Sequence, residues 1–277
     1  MEHTISPPTA VSLNTRELWR YRELFYFFTW RDIKVKYKQT ALGFLWVLLQ
    51  PLLLMATFSL FFHRGLGVST DGTPPPIFYL SGLLFWNLFA SGLTGAANSM
   101  IENAHIIKKI YFPRLVIPCS SVLVAGFDFG IALTMFVGML VGCRLFFPEF
   151  TIDFVRFALA LPLCVGIVAT ATLGLGSMLA ALSVKYRDFR YVVPFAVQFL
   201  FFLTPVLYPL HLLDSPTLRY TLACNPLTGA ITLARSAFSS TPLDWTVLGI
   251  STAAAAALLV AGLYTFRKME AHFADIA

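Results

Sequence analysis

Residues 16–39 read RELWRYRELFYFFTWRDIKVKYKQ, and an uncharged apolar run from Leu42 to Phe62 follows them almost at once. The stretch holds seven basic residues: Arg16, Arg20, Arg22, Arg31, Lys34, Lys36 and Lys38. At about 100° per residue, Arg16, Arg20, Arg31, Lys34 and Lys38 share one helical stripe. Leu18, Tyr21, Phe25 and Phe28 fall opposite, with Trp19, Tyr26, Trp30, Ile33 and Tyr37 on a flank. Asp32 and Lys36 interrupt the apolar side. A basic stripe beside aromatic rings describes a helix lying in the headgroup layer of a membrane. Each cation near an anionic leaflet contributes roughly 1 kcal/mol. Taken alone, the stretch leaves two readings open: an anchor that fixes orientation, and a platform for an anionic lipid headgroup.

The run that follows, about 20 uncharged residues, is long enough to cross ~30 Å of hydrocarbon, with a kink expected at Gln50-Pro51. Further apolar runs cover residues 77–97, 119–143, 157–182, 192–210 and 245–266. With residues 42–62 they make six expected spans in an all-α membrane protein. The composition agrees: 57% of residues are hydrophobic, 12% charged, and the mean hydropathy is +0.74, whereas soluble chains carry about 25% charged residues. A net charge of +6 fits topology better than nucleic acid, because most cations sit at the ends of apolar runs. The two termini and the second and fourth loops hold 15 Lys and Arg, the remaining loops 5. The positive-inside rule then places both termini in the cytoplasm. Residues 1–15 are polar with Pro7 and Pro8, and read as a flexible tail ahead of a single transmembrane domain over 16–277. Residues 98–118 and 183–194 are compact basic loops on the cytoplasmic side. Residues 211–242 are neither span nor polar loop and read as two half-helices dipping into the membrane, Asn225 capping a helix that begins at Pro226.

Chemistry-bearing patterns are sparse. No GxxxxGK[ST] loop occurs, so the chain has no visible means of hydrolysing ATP, and Gly174-Leu175-Gly176 reads as helix packing. Four scattered cysteines read as small apolar residues, and five histidines lack metal-ligand spacing, so no metal site is expected. Asp128 is the one acid clearly inside a span, where burial costs about 2.5–3.5 kcal/mol. It reads as an ion relay or, preferably, as a helix-to-helix tie through a hydroxyl or backbone group.

Five separated motifs carry a resemblance. Residues Trp30 to Thr40 (WRDIKVKYKQT) lead into Leu42-Gly43-Phe44-Leu45-Trp46 and Gln50-Pro51. Lys109-Ile110-Tyr111-Phe112-Pro113-Arg114 lies in the second loop and Tyr186-Arg187-Asp188-Phe189-Arg190 in the fourth. Pro205-Val206-Leu207-Tyr208-Pro209 and Asn225-Pro226-Leu227-Thr228-Gly229 follow. In this order, over essentially the whole chain after the tail, the sequence resembles the membrane permease of type-2 ABC exporters that move O-antigen polysaccharide or teichoic acid. The resemblance implies a homodimer in a bacterial inner membrane, paired with two copies of a separate ATPase that holds ATP and Mg. It implies that the basic helix receives the diphosphate of a polyprenyl-linked glycan, with Arg31, Lys34 and Lys38 as headgroup contacts. Residues 98–118 would dock on the ATPase through His105, Lys108, Lys109, Tyr111 and Arg114. The half-helices would gate the outer mouth, with Pro205, Tyr208, Pro209, Asn225 and Pro226 as gate residues and aromatics along the glycan path. Two other readings are an ion-coupled secondary carrier using Asp128 and a membrane-embedded transferase. The transferase needs convergent carboxylates or histidines, and none are apparent.

Overall fold

The computed structural model describes residues 19–38, 43–239 and 241–270; the expected tail, Arg16, and Gln39, Thr40 and Leu42 of the first motif lie outside them. Among the described residues all regular structure is helical. In order these are α1 (Arg22–Lys38), α2 (Leu45–Phe58, running on into a π-helical turn Ser59–Gly65), α3 (Pro75–Glu102) and α4 (Ala104–Ile107). Then come α5 (Val116–Phe146), α6 (Phe154–Lys185), α7 (Phe189–Leu203), α8 (Pro216–Ala223), α9 (Pro226–Arg235) and α10 (Trp245–Glu270).

Among the described residues five helices are long and apolar enough to cross a membrane: α2 with its π turn, α3, α5, α6 and α10. Each runs past one or both ends of the apolar stretch that announced it. The 28 residues of α3 span about 42 Å at 1.5 Å per residue, because intrahelical hydrogen bonds continue through polar end residues. The loop expected over 98–118 narrows accordingly to the stretch between Glu102 and Val116, and that over 183–194 to Tyr186–Asp188. Pro118 falls in the first turn of α5, where its missing N–H costs nothing. The expected run 192–210 behaves differently. Its helix α7 has 15 residues, about 22 Å, and stops where Thr204 turns extended (φ −94°, ψ 135°). Proline at 205 disfavours the helical conformation in the residue before it.

The bundle is built around α3, buried almost continuously from Ile77 to Phe89 and flanked by α5 and α6. Small residues set the spacing. A Cβ on Gly92 would lie 2.8 Å from Thr172 Cγ2 of α6 and 3.3 Å from Ala125 Cβ of α5. On the far side of α6 the backbones of α6 and α10 touch: a Cβ on Gly262 would lie 1.8 Å from the Gly174 carbonyl oxygen, which is the packing role read for the Gly174 cluster. Gly262→Ala must therefore push α10 off α6 and is expected to cost about 1–3 kcal/mol. Gly249→Ala, on the same helix but facing open space, is the control. Thermal unfolding of the purified protein in detergent should drop for the first and hold or rise slightly for the second.

The loops sort to opposite ends. At one end α1 lays Phe28 into a cluster with Met100, Phe112, Leu115, Val116, Ala180 and Phe266, gathering the ends of α3, α6 and α10 and the start of α5. At the other, Thr73 donates to the Phe238 carbonyl, Asp153 N–H donates to the Ala237 carbonyl, and Leu210, Ala223 and Val247 form a small cluster.

Candidate functional site

The basic helix does not stand apart from the bundle; it descends alongside α5. The Phe28 ring meets Phe112 at 5.6 Å, just ahead of α5, and nine residues on the Tyr37 ring meets Phe127 of α5 at 6.1 Å. The expected headgroup trio is divided. Arg31 is half-buried: its Nε donates to Asp32 Oδ1 at 2.8 Å and its Nη2 to Asn103 Oδ1 at 2.8 Å, with the guanidinium 4.9 Å over Phe28. Lys34, with its ammonium 5.3 Å over Trp30, and Lys38 are exposed. Tyr26, Phe27, Trp30 and Val35 are exposed too, so α1 presents rings and cations together.

Two residues that spoil the amphipathic pattern have partners. Asp32 pairs with Arg31. Lys36 forms an ion pair with Asp128 Oδ2 at 2.5 Å, and the Tyr37 hydroxyl donates to the other oxygen of the same carboxylate. The tie expected of Asp128 through a hydroxyl is present, with an ammonium added. Sequence reasoning held both signals, a lone acid in a span and a lysine on an apolar flank, without joining them.

Next to α1 stands the basic loop between α3 and α5. Asn103 closes α3, its Nδ2 donating to the Ser99 carbonyl at 2.8 Å while its oxygen receives Arg31. From there α4 and residues 108–111 project: His105, Lys108, Lys109, Ile110 and Tyr111 are exposed, Tyr111 by 80%. The loop returns at Phe112, buried against Phe28, and at Arg114, whose Nη1 donates to the Glu270 carbonyl at 2.7 Å. Four of the five expected coupling residues thus share a protruding knob, and Arg114 belongs to its root.

At the opposite end the break after α7 is held by buried polar groups. Asn225 caps α9 as expected, accepting from Leu227 N–H at 3.1 Å, and its Nδ2 donates to Thr204 Oγ1 at 2.8 Å. Pro205, Pro209 and Pro226 are buried and Tyr208 half-buried. The residue that joins them was not anticipated. Arg235, 5% exposed at the end of α9, donates Nη1 to the Pro205 carbonyl at 2.7 Å and Nη2 to the Val206 and Phe78 carbonyls at 3.1 and 3.0 Å. Its Nε donates to Ser81 Oγ at 3.2 Å, and the guanidinium lies 3.6 Å over the Phe78 ring. Gly82 leaves the room: a Cβ there would sit 2.9 Å from Nη2. Nearby, Asp71, in a left-handed turn at φ 55°, pairs with His211 at 3.1 Å. Burial raises its carboxyl pKa, and His211 and Arg235 oppose that shift.

Residues 23–239 match the family described as ABC-2 type transporter. An O-antigen export system permease protein RfbA of Myxococcus xanthus is 32% identical over 94% of this chain and 97% of the relative. One of the same name from Klebsiella pneumoniae is 30% identical over 92% and 95%. A polysialic acid transport protein KpsM of Escherichia coli is 22% identical over 75% and 78%. The chain is a multi-pass membrane permease and belongs to the ABC-2 type transporter family, among its polysaccharide exporters.

Proposed function

We propose that this chain is the transmembrane subunit of an ATP-driven exporter that moves a polyprenyl-diphosphate-linked polysaccharide, O-antigen-like or teichoic-acid-like, out across the inner membrane of a bacterium. It works as a homodimer with two copies of a separate ATPase that brings ATP and Mg. In this arrangement the end carrying α1 and the basic knob is cytoplasmic, α7 with the break after it completes a sixth crossing, and α8 and α9 are re-entrant half-helices at the outer mouth. One observation carries the reading: the headgroup helix and the coupling knob share a root. The Arg31–Asn103 bond and the Phe28–Phe112 contact join them, so an anionic headgroup drawn to α1 acts on the element that an ATPase would grip. Exposed aromatics on α2 and α7, among them Trp46, Phe195, Phe199 and Phe202, are available to a second protomer, to lipid or to the glycan. The carrier alternative loses its support, because Asp128 is already engaged by Lys36 and Tyr37.

Lys34 and Lys38 are the proposed headgroup cations that stand exposed, with Arg31 bound at the root beside them. Each charge-assisted contact to a diphosphate contributes about 1.5–3 kcal/mol. In nanodiscs containing the transporter and its ATPase, Lys34→Gln with Lys38→Gln should raise the polyprenyl diphosphate concentration for half-maximal ATPase stimulation by tens-fold or more. Arg20→Gln with Arg22→Gln removes the same charge from exposed positions at or next to the start of α1 and should do much less. Equal effects from the two pairs would make α1 a surface anchor and remove the headgroup assignment.

A further inference from the structure

We infer that Asp128 of α5 is a positioning residue: by accepting from Lys36 and Tyr37 it sets the register of α1, and so fixes where Lys34 and Lys38 stand at the membrane. The inference rests on the headgroup reading of α1 only for its functional consequence; the positioning itself rests on geometry.

The attachments of α1 are uneven along its length. Its first half is held by apolar packing, with Phe28 3% exposed inside the cluster that includes Phe112, Leu115 and Val116, and by the Arg31–Asn103 bond. After Arg31 one side of the helix stays on α5, where the Tyr37 ring meets Phe127 at 6.1 Å, and the other side is open. Lys34, Val35 and Lys38 are exposed, and Ile33 is the buried apolar residue of these last two turns. Beside that packing, the contacts to Asp128 give the end of the helix a polar hold on α5. The Asp128 side chain is 13% exposed and that of Lys36 46%, so the carboxylate is drawn out of water while its partner still reaches it. An acid inside a span is costly to insert, and the ammonium and the phenol offset that cost when α1 is seated. The two oxygens of one carboxylate take two consecutive residues of α1. That fixes rotation about the α1 axis as well as position along it, which a single contact cannot do.

A tie that only strengthened the fold would leave substrate affinity untouched in whatever protein folds. A positioning residue predicts otherwise. If α1 is seated a tenth of the time, the apparent affinity for a ligand of the seated state falls about tenfold, while the maximal rate at saturation stays the same.

Two readouts on the assembled transporter test this. The first is the maleimide labelling rate of a cysteine at Ile33, in a background lacking Cys119, Cys143, Cys164 and Cys224. Labelling should be slow in the parent and several-fold faster with Asp128→Asn or Lys36→Met. It should be slow again in the exchanged pair Asp128→Lys with Lys36→Asp. The second is ATPase stimulation by polyprenyl diphosphate in nanodiscs, where the same single variants should raise the half-maximal concentration about tenfold and leave the maximal rate alone. Unchanged labelling in both single variants overturns the inference. Faster labelling with an unchanged half-maximal concentration upholds Asp128 as the positioning residue and overturns the headgroup reading of α1. Should Asp128→Asn not assemble, Lys36→Met at its half-exposed site carries both readouts.

Discussion

Arg235→Met is expected to leave no transporter that survives purification, the largest effect of any single substitution at the end of the bundle opposite α1. The loss strips the carbonyls of Pro205 and Val206 of this donor, whereas the Phe78 carbonyl keeps the Ser81 hydroxyl as a donor. Each buried acceptor left unsatisfied costs about 1–3 kcal/mol, and the stability of a domain is only about 5–15 kcal/mol. The guanidinium is suited to the place because its planar fork reaches several acceptors at once. Arg235→Lys keeps the charge but concentrates its donors at one point, so it should give an intermediate yield and melting temperature. Size-exclusion profiles and thermal unfolding in detergent decide the matter: an Arg235→Met protein that elutes and melts like its parent would show that the break after α7 is held by something else.

The second large effect is the opposite kind, a loss of work without a loss of fold. Lys108→Glu with Lys109→Glu reverses charge on the protruding knob, where both side chains are exposed and take no part in the Phe112 and Arg114 contacts at its root. Stability should move by no more than about 0.5 kcal/mol, as for surface substitutions generally. Co-purification of the ATPase, or the coupling of its hydrolysis to export, should fall by tenfold or more, the scale of ~1.4 kcal/mol lost from an interface. Retention of both would move the coupling contact elsewhere on that end, to Tyr186–Asp188 or the end of α10.

What the sequence disclosed about this protein divides by the range of the interaction. Five of the six expected spans were legible because insertion depends on the summed apolarity of ~20 neighbouring residues. Asn225 was legible as a cap because it bonds two residues ahead. The basic knob could be placed between α3 and α5 on equally local grounds. The bonds that organise the two ends were not legible. Lys36 and Asp128 are 92 residues apart, Arg31 and Asn103 are 72 apart, and Arg235 and Ser81 are 154 apart. Such pairs leave no period in the sequence. Their trace is a local anomaly, such as a lysine on an apolar flank, an acid in a span, or an arginine in a semi-apolar stretch. Arg31 shows the converse. Helical phase put it on the same stripe as Lys34 and Lys38, but phase cannot show that Asp32 and Asn103 already hold it.

The seat of α1 bears on how the protein is made. Phe28 belongs to a cluster that includes Phe112, Ala180 and Phe266, so its last partner leaves the ribosome about 240 residues after it does. At ~5–20 residues per second that interval is tens of seconds. Until then α1 has only an incomplete seat on α3 and α5, and its own affinity for the bilayer surface helps to hold it in place. The exposed Trp19, Tyr26, Phe27 and Trp30 with the cations beside them supply that affinity. In the proposed arrangement the rings and charges that face lipid in the finished transporter also keep its first helix parked at the membrane until the last one is threaded.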